Sequence, residues 1–194
     1  MSTFDKDKEK EENKEIKIVG TSNRYQINKL IVRENPIKKR KEMLKKELPD
    51  YLFLIENQII MLKEIYNNNF SLFLDYKDVI KQQIERKIYG YHSQDLIKKI
   101  LDNKKFITLD ETIEKLHDSQ LQCFYCKTDM LLLYNIVREL DQWTLDRIDN
   151  SLGHNKDNVV ISCLNCNLKR RRTGKDAFLF TKQLSIVKKE PTDD

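Results

Sequence analysis

All four cysteines of the chain fall in two C-x-x-C pairs, Cys123-Phe124-Tyr125-Cys126 and Cys163-Leu164-Asn165-Cys166. Two residues between thiolates let both sulfurs reach one tetrahedral ion from a tight turn, and two such knuckles complete a closed, structural four-thiolate zinc site. The alternative, four unrelated buried thiols, does not require this spacing. Cys126 and Cys163 stand farther apart than the pairs of a compact zinc ribbon. A structural zinc would therefore clamp the base of an inserted segment.

That segment carries oxygen donors. Trp143 to Ile148 is apolar and β-prone, and Asp149, Asn150 and Gly153 supply turn chemistry. Asn158 to Ser162 is a β-branched run of strand length, and a helix is expected from Asn165 onward with Gly174 as its stop. Folding as strand, strand and helix would bring Asp146 to Asn167. Both offer hard oxygen ligands suited to Mg²⁺ or Mn²⁺. Lys169, Arg170, Arg171 and Arg172 follow directly. A charge run usually marks a solvated face. This one extends from a proposed metal ligand, where the phosphate of a nucleic acid would lie.

Asp146-Arg147-Ile148-Asp149, Asn158-Val159 and Cys163-x-x-Cys166-Asn167, bracketed by the upstream cysteine pair, resemble the HNH (ββα-metal) endonucleases. The nearest pattern is the zinc-containing, four-cysteine group that includes phage recombination endonuclease VII. The resemblance spans about Leu121 to Phe180, roughly a third of the chain. It implies hydrolysis of DNA phosphodiester bonds by a divalent ion, Mg²⁺ or Mn²⁺, on Asp146 and Asn167. Asn158 would correspond to the family's central Asn, which orients the loop that carries the base.

In most of that family a His follows the metal-binding Asp and activates water. Arg147 stands there instead, and arginine stays protonated and cannot take a proton. Arg147 could neutralise charge building on the phosphate. His154 titrates near neutrality and is the candidate base, or an exposed turn residue. Asp149 is the other candidate, at the offset where related nucleases with an Asp-Arg-Gly-His motif carry their base, or it simply shapes the turn. Two other classes stay open. A non-catalytic zinc-dependent nucleic-acid-binding module would keep the cysteines and basic run without needing Asp146 or Asn167 as ligands. A zinc-structured protein-interaction module would not need the basic run either.

The elements that must position these residues point to an α+β, mostly α chain. Its 194 residues suggest one domain or one plus an extension. The division expected is a disordered charged tail (1–20), a mainly helical N-terminal region (21–118), the zinc-bound module (119–188) and a loose C-terminus (189–194). Hydrophobic residues make up 39%, enough for a core, and a net charge of +5 suits DNA without establishing it. Reduced cysteines fit an intracellular compartment, cytoplasmic or nuclear. No apolar run approaches the roughly 20 residues of a membrane span, and no secretory signal is visible. No small-molecule cofactor is implied, and oligomeric state is open.

Ser2 to Glu15 is almost wholly charged or polar, too poor in apolar residues to offset ordering. Lys38 to Lys41 with Lys45 and Lys46 could contact phosphate or direct nuclear import, but reads best as a solvated helix face. Pro49 ends that helix or opens the next with Asp50. Leu52, Ile55, Ile59, Leu62 and Tyr66, then Tyr76, Ile80, Ile84 and Ile88, recur at helix spacing and form core stripes. Gly90 is expected to break the second run and Ser93 to cap a further helix over Leu96 to Leu101. Thr108 and Glu111 form a capping box ahead of Ile113 and Leu116. Met130 to Val137 is a strand or helix beneath the metal site, and Asp176 to Val187 a final helix. His92 and His117 read as structural or exposed.

Overall fold

The computed structural model describes residues 37–40 and 48–184. The charged tail, the weakly β-like stretch after it, Lys41, Lys45, Lys46 and the last ten residues lie outside them.

Pro49 opens a short 3-10 turn, Asp50–Phe53, as its fixed φ allows. Helix α1, Ile55–Tyr66, follows and buries Met61, Leu62 and Ile65. Its fully buried Gln58 substitutes for a strand partner. Gln58 Oε1 accepts from Leu132 N (2.6 Å) and Leu133 N (3.0 Å), while Nε2 donates to Leu133 O (3.1 Å). An irregular stretch, Met130 to Tyr134, thus has its backbone satisfied deep in the core. It forms neither the strand nor the helix expected there.

Helix α2, Lys77–Ile97, runs straight through Gly90. Glycine inside a helix costs about 1 kcal/mol, which the buried faces on either side outweigh. Ser93 therefore caps nothing; its Oγ donates back to Tyr89 O (3.0 Å) within the same helix. The stop comes later, where Lys99 adopts φ 58° and Ile100 N donates to Asp95 O. Helix α3, Leu109–Asp118, starts on the expected capping box, with Thr108 and Glu111 bonding each other's backbone.

Strands β1, Trp143–Arg147, and β2, Val159–Cys163, pair antiparallel from Trp143↔Cys163 to Arg147↔Val159. They form the only sheet among the described residues. Period-two alternation sends Trp143 and Leu145 into the core and Thr144 and Asp146 to the opposite face. Helix α4, Leu164–Arg170, covers that face and ends where Arg171 takes φ 52°. Gly174 does not stop α4; it is the N-cap of α5, Lys175–Gln183. The outer edge of β1 is closed by two α2 side chains one turn apart. Tyr91 Oη accepts from Leu145 N (3.1 Å), and Lys87 donates to Trp143 O.

The architecture is α+β with helices predominating. One buried cluster joins Leu52, Met61 and Ile80 to Trp143, Phe178 and the cysteines Cys123, Cys163 and Cys166. Residues on both sides of position 118 share it. The basic residues Lys38 to Arg40 are not on a helix. Lys39 bridges Ile136, and Arg40 donates to Gln83 (2.8 Å) and lies over the Tyr134 ring. No helix among the described residues is long and apolar enough to cross a membrane.

Candidate metal centre and the buried charges beside it

Each cysteine pair sits in a turn that the backbone closes on itself. In the first, Lys127 at φ 60° donates to Cys123 O (3.0 Å), and Cys123 N donates to Thr128 O (2.9 Å). In the second, Cys163 caps α4, its sulfur accepting from Cys166 N (3.4 Å). Cys163 N in turn donates to Cys123 Sγ (3.3 Å), so a backbone N–H joins the two knuckles. The four sulfurs lie within 4.8 Å of one another, with Cys126 and Cys163 at 3.8 Å. Four thiolates about 2.3 Å from a tetrahedral zinc stand about 3.8 Å apart, so this donor set fits such an ion.

Their electrostatics agree. A hydrogen bond from Cys163 holds Cys123 down to about 4. Cys163 is pushed up by that same bond and by burial, and Cys166 up to about 12 by burial and the Cys123 charge. Sulfurs this close cannot all ionise without a cation among them.

Asp146 is 3% exposed and faces α4. Arg170 grips it with two nitrogens, Nε to Oδ2 at 2.6 Å and Nη2 to Oδ1 at 2.9 Å. Tyr125 Oη, from inside the first knuckle, donates to Oδ2 at 2.7 Å. Burial and then the bond to Asp146 raise the Tyr125 phenol, so it stays protonated as a donor. Arg170 also donates to Thr173 O (2.7 Å) and to Arg147 O. It is 2% exposed. Arg170 was expected in an exposed phosphate-binding run with Lys169, Arg171 and Arg172. Those three are exposed, but Arg170 is not. Helix spacing is the reason: Arg170 shares a face with Cys166 and Asn167, and that face meets β1.

Asn167 lies half-buried on α4, donating to Thr144 Oγ1 (3.1 Å) and Leu145 O (3.5 Å). The strand–strand–helix order thus brings Asp146 and Asn167 to one seam. As arranged, the seam does not fit Mg²⁺ or Mn²⁺. Both Asp146 oxygens are engaged, and a guanidinium stands where the ion would be.

The turn between the strands is held by three of the side chains in and beside it. Asn158, 7% exposed, accepts from Asp149 N (2.9 Å) and donates to Asp149 O and Gly153 O (both 2.9 Å). Arg147 donates to Asn150 O (3.2 Å) and Leu152 O (3.1 Å). Asp149 accepts from Ser151 N and Oγ (2.8 and 2.7 Å), and these bonds hold its carboxyl below the usual range. That makes Asp149 a turn former and a poor base.

His154 is buried rather than exposed. It is 4% exposed and packs on Tyr91, centroids 4.5 Å apart. Its backbone N and Nδ1 bond the two oxygens of fully buried Asp95 at 2.6 and 2.8 Å. Burial holds the imidazole below its ordinary value despite Asp95. His154 is an anchor tying the turn to α2 and does not act as a solvent-facing base. Its partner Asp95, 59 positions away, gave no signal in the sequence. Tyr125, by contrast, was within sight, between two cysteines.

A cleft of about 520 Å³ runs between this turn and the α4–α5 link, lined by Asp149, Asn150, Ser151, Arg170, Arg172 and Gly174. His117, away from it, stacks on Tyr66 with centroids 3.9 Å apart, and His92 meets Phe106 edge-on. The chain matches no protein-family model, no curated protein and no solved structure.

Proposed function

We propose that the chain is a zinc-structured endonuclease of the HNH type that hydrolyses DNA phosphodiester bonds with Mg²⁺ or Mn²⁺. The observation that carries this reading is the seam between β1 and α4. It carries Asp146 on the strand and Asn167, the residue after the last cysteine, on the helix, and an ion there requires Arg170 to give up Asp146. A structural zinc on Cys123, Cys126, Cys163 and Cys166 holds α4 in register with β1. Lys169, Arg171 and Arg172 meet the phosphate backbone, and Asn158 sets the turn that borders the cleft. Thiolates kept reduced for zinc fit an intracellular setting.

A second reading has specific support. Arg170 closes Asp146, and Arg147 replaces the family's base, as in a nucleic-acid-binding module without catalysis. Incubating zinc-loaded protein with supercoiled plasmid and a four-way junction, in Mg²⁺, Mn²⁺ or EDTA, separates the two. The nuclease reading expects cleavage with either ion and none in EDTA. It also expects Asp146→Ala and Asn167→Ala to abolish cleavage while zinc content and DNA binding persist. Binding in every condition with cleavage in none selects the binding module.

A further inference from the structure

We propose that the cleft bounded by the end of α3, the first cysteine knuckle and β2 holds one unpaired base of a DNA single strand, stacked on Phe124 with the flanking phosphates on Lys115 and Lys127. This occupancy rests on the nucleic-acid reading above, in either of its two forms, and adds which state of the strand is bound.

The cleft measures about 450 Å³, within the range of sites for small organic groups. Its floor is apolar, made by Phe124, Val160 and the buried Ile161. Its rim is polar and open to solvent, with Asp118, Gln120, Gln122 and Lys127 all exposed. Neither Lys115 nor Lys127 has a carboxylate partner among the described residues, so both cations are at hand for an anion. Asp118, the one acid on this rim, has only His117 beside it (Nδ1 to Oδ1, 3.7 Å) and can accept from the amino group of a base such as cytosine. An apolar floor for a flat ring, cations for phosphate and polar groups for a base edge are what recognition of an unpaired nucleotide uses. A base inside a duplex is stacked on its neighbours and cannot enter without leaving the stack.

Phe124 is placed to be the platform. Its neighbour Tyr125 turns inward to Asp146, whereas Phe124 stays half-buried at the cleft. Lys127 and Lys175 bring their ammonium groups to 5.5 and 5.8 Å from its ring centroid. An exposed cation–π contact is worth less than a base stacked on an aromatic ring, so a base displaces the Lys127 ammonium, which then meets the phosphate. Lys175 follows Gly174, which lines the second cleft beside Arg172. Lys175 thus links the two clefts with a positive charge that the phosphates of one strand could follow. The backbone of the rim is strained: Gln120, Leu121 and Lys127 take φ of 51°, 56° and 60°. Such conformations cost energy in residues other than glycine, and here they hold Gln120 and Lys127 at the cleft.

The test is fluorescence anisotropy of a short, labelled, cytosine-rich strand, single or in duplex, with the full-length, zinc-loaded protein and no added Mg²⁺ or Mn²⁺. Phe124→Ala is expected to weaken single-strand binding about 5- to 150-fold, the scale of one lost base–aromatic stack, and to leave duplex binding unchanged. Phe124→Trp is expected to keep single-strand binding. Lys127→Gln, a change on an exposed side chain, is expected to flatten the salt dependence on the single strand by a slope of about 0.7, one phosphate's share, and not on the duplex. Equal losses for both forms with Phe124→Ala, or none for either, overturn the pocket and leave the nucleic-acid reading standing. Wild-type protein that binds neither form overturns both. Binding of dCMP as tight as that of the strand makes this a free-nucleotide site and also overturns the proposal. If Phe124→Ala fails to fold, Lys127→Gln decides, since a slope that falls equally on both forms or on neither overturns the pocket.

Discussion

Arg170 keeps a full charge at 2% exposure, and the desolvation this costs is offset because Asp146 meets it with both oxygens. Removing one partner therefore does more harm than removing two. Arg170→Met should lower unfolding free energy by about 3–5 kcal/mol, the range for breaking a buried ion pair. The double change Asp146→Asn with Arg170→Met should lose distinctly less, because no charge is left unpaired. Urea unfolding of the wild type and the two variants measures both. Equal losses in single and double variants would mean that the pair has no special standing. Helix spacing from Cys166 carried the signal for the burial of Arg170, but the basic run reads as exposed. The partner of Arg170 was not legible, since Asp146 read equally well as a ligand for a metal.

At the scale of elements, the turn from Ile148 to Asn158 is held by bonds from Arg147, Asn158 and Asp95. Asn158 fills its centre and His154 pins it to α2. Gly153 has no room for a side chain: a Cβ would meet Asp95 Oδ2 and Ile100 O at 2.8 Å. Gly153→Ala should cost about 1–3 kcal/mol, as overpacking does, in a thermal melt. His154 adds a pH dependence. Its imidazole titrates lower in the folded protein than in the unfolded chain, where the value is about 6.5. Between the two values the unfolded state holds more protons, so stability is complete above about pH 6.5 and falls as pH drops below it. His154→Gln should flatten that limb of the stability–pH curve. An unchanged curve would mean that another group is responsible. The turn residues Asp149, Asn150 and Gly153 were visible in the sequence, but the buried carboxylate that Gly153 approaches was not.

At the scale of the whole described region, the cysteines belong to the same buried cluster as the N-terminal helices. Loss of a metal ion held by these cysteines should then unfold more than the knuckles. A strong chelator, or Cys163→Ser, is expected to remove the near-ultraviolet signal of the single tryptophan, Trp143, together with far-ultraviolet helix signal, in one transition. Helix signal that survives chelation intact would show that α1 to α3 fold without the metal centre. Elemental analysis of the folded protein gives the identity of the ion.

The sequence by itself determined what depends on near neighbours. The two C-x-x-C turns, the Thr108–Glu111 cap, strands near Trp143 to Ile148 and Asn158 to Ser162, and a helix following the last cysteines all follow from spacing and local hydrogen bonding. Tertiary packing decided what depends on distant partners. Gly90 stays inside α2 because burial on both sides outweighs a local preference of about 1 kcal/mol. Met130 to Tyr134 needs no regular structure because Gln58 bonds its backbone. His154 became an anchor because Asp95 lies beneath it, and Asp146 a buried partner because α4 delivers Arg170 to it. Each outcome turns on a charge or a backbone group brought in across the core. Such a group acts through its position in space, which residue type and interval along the chain do not encode.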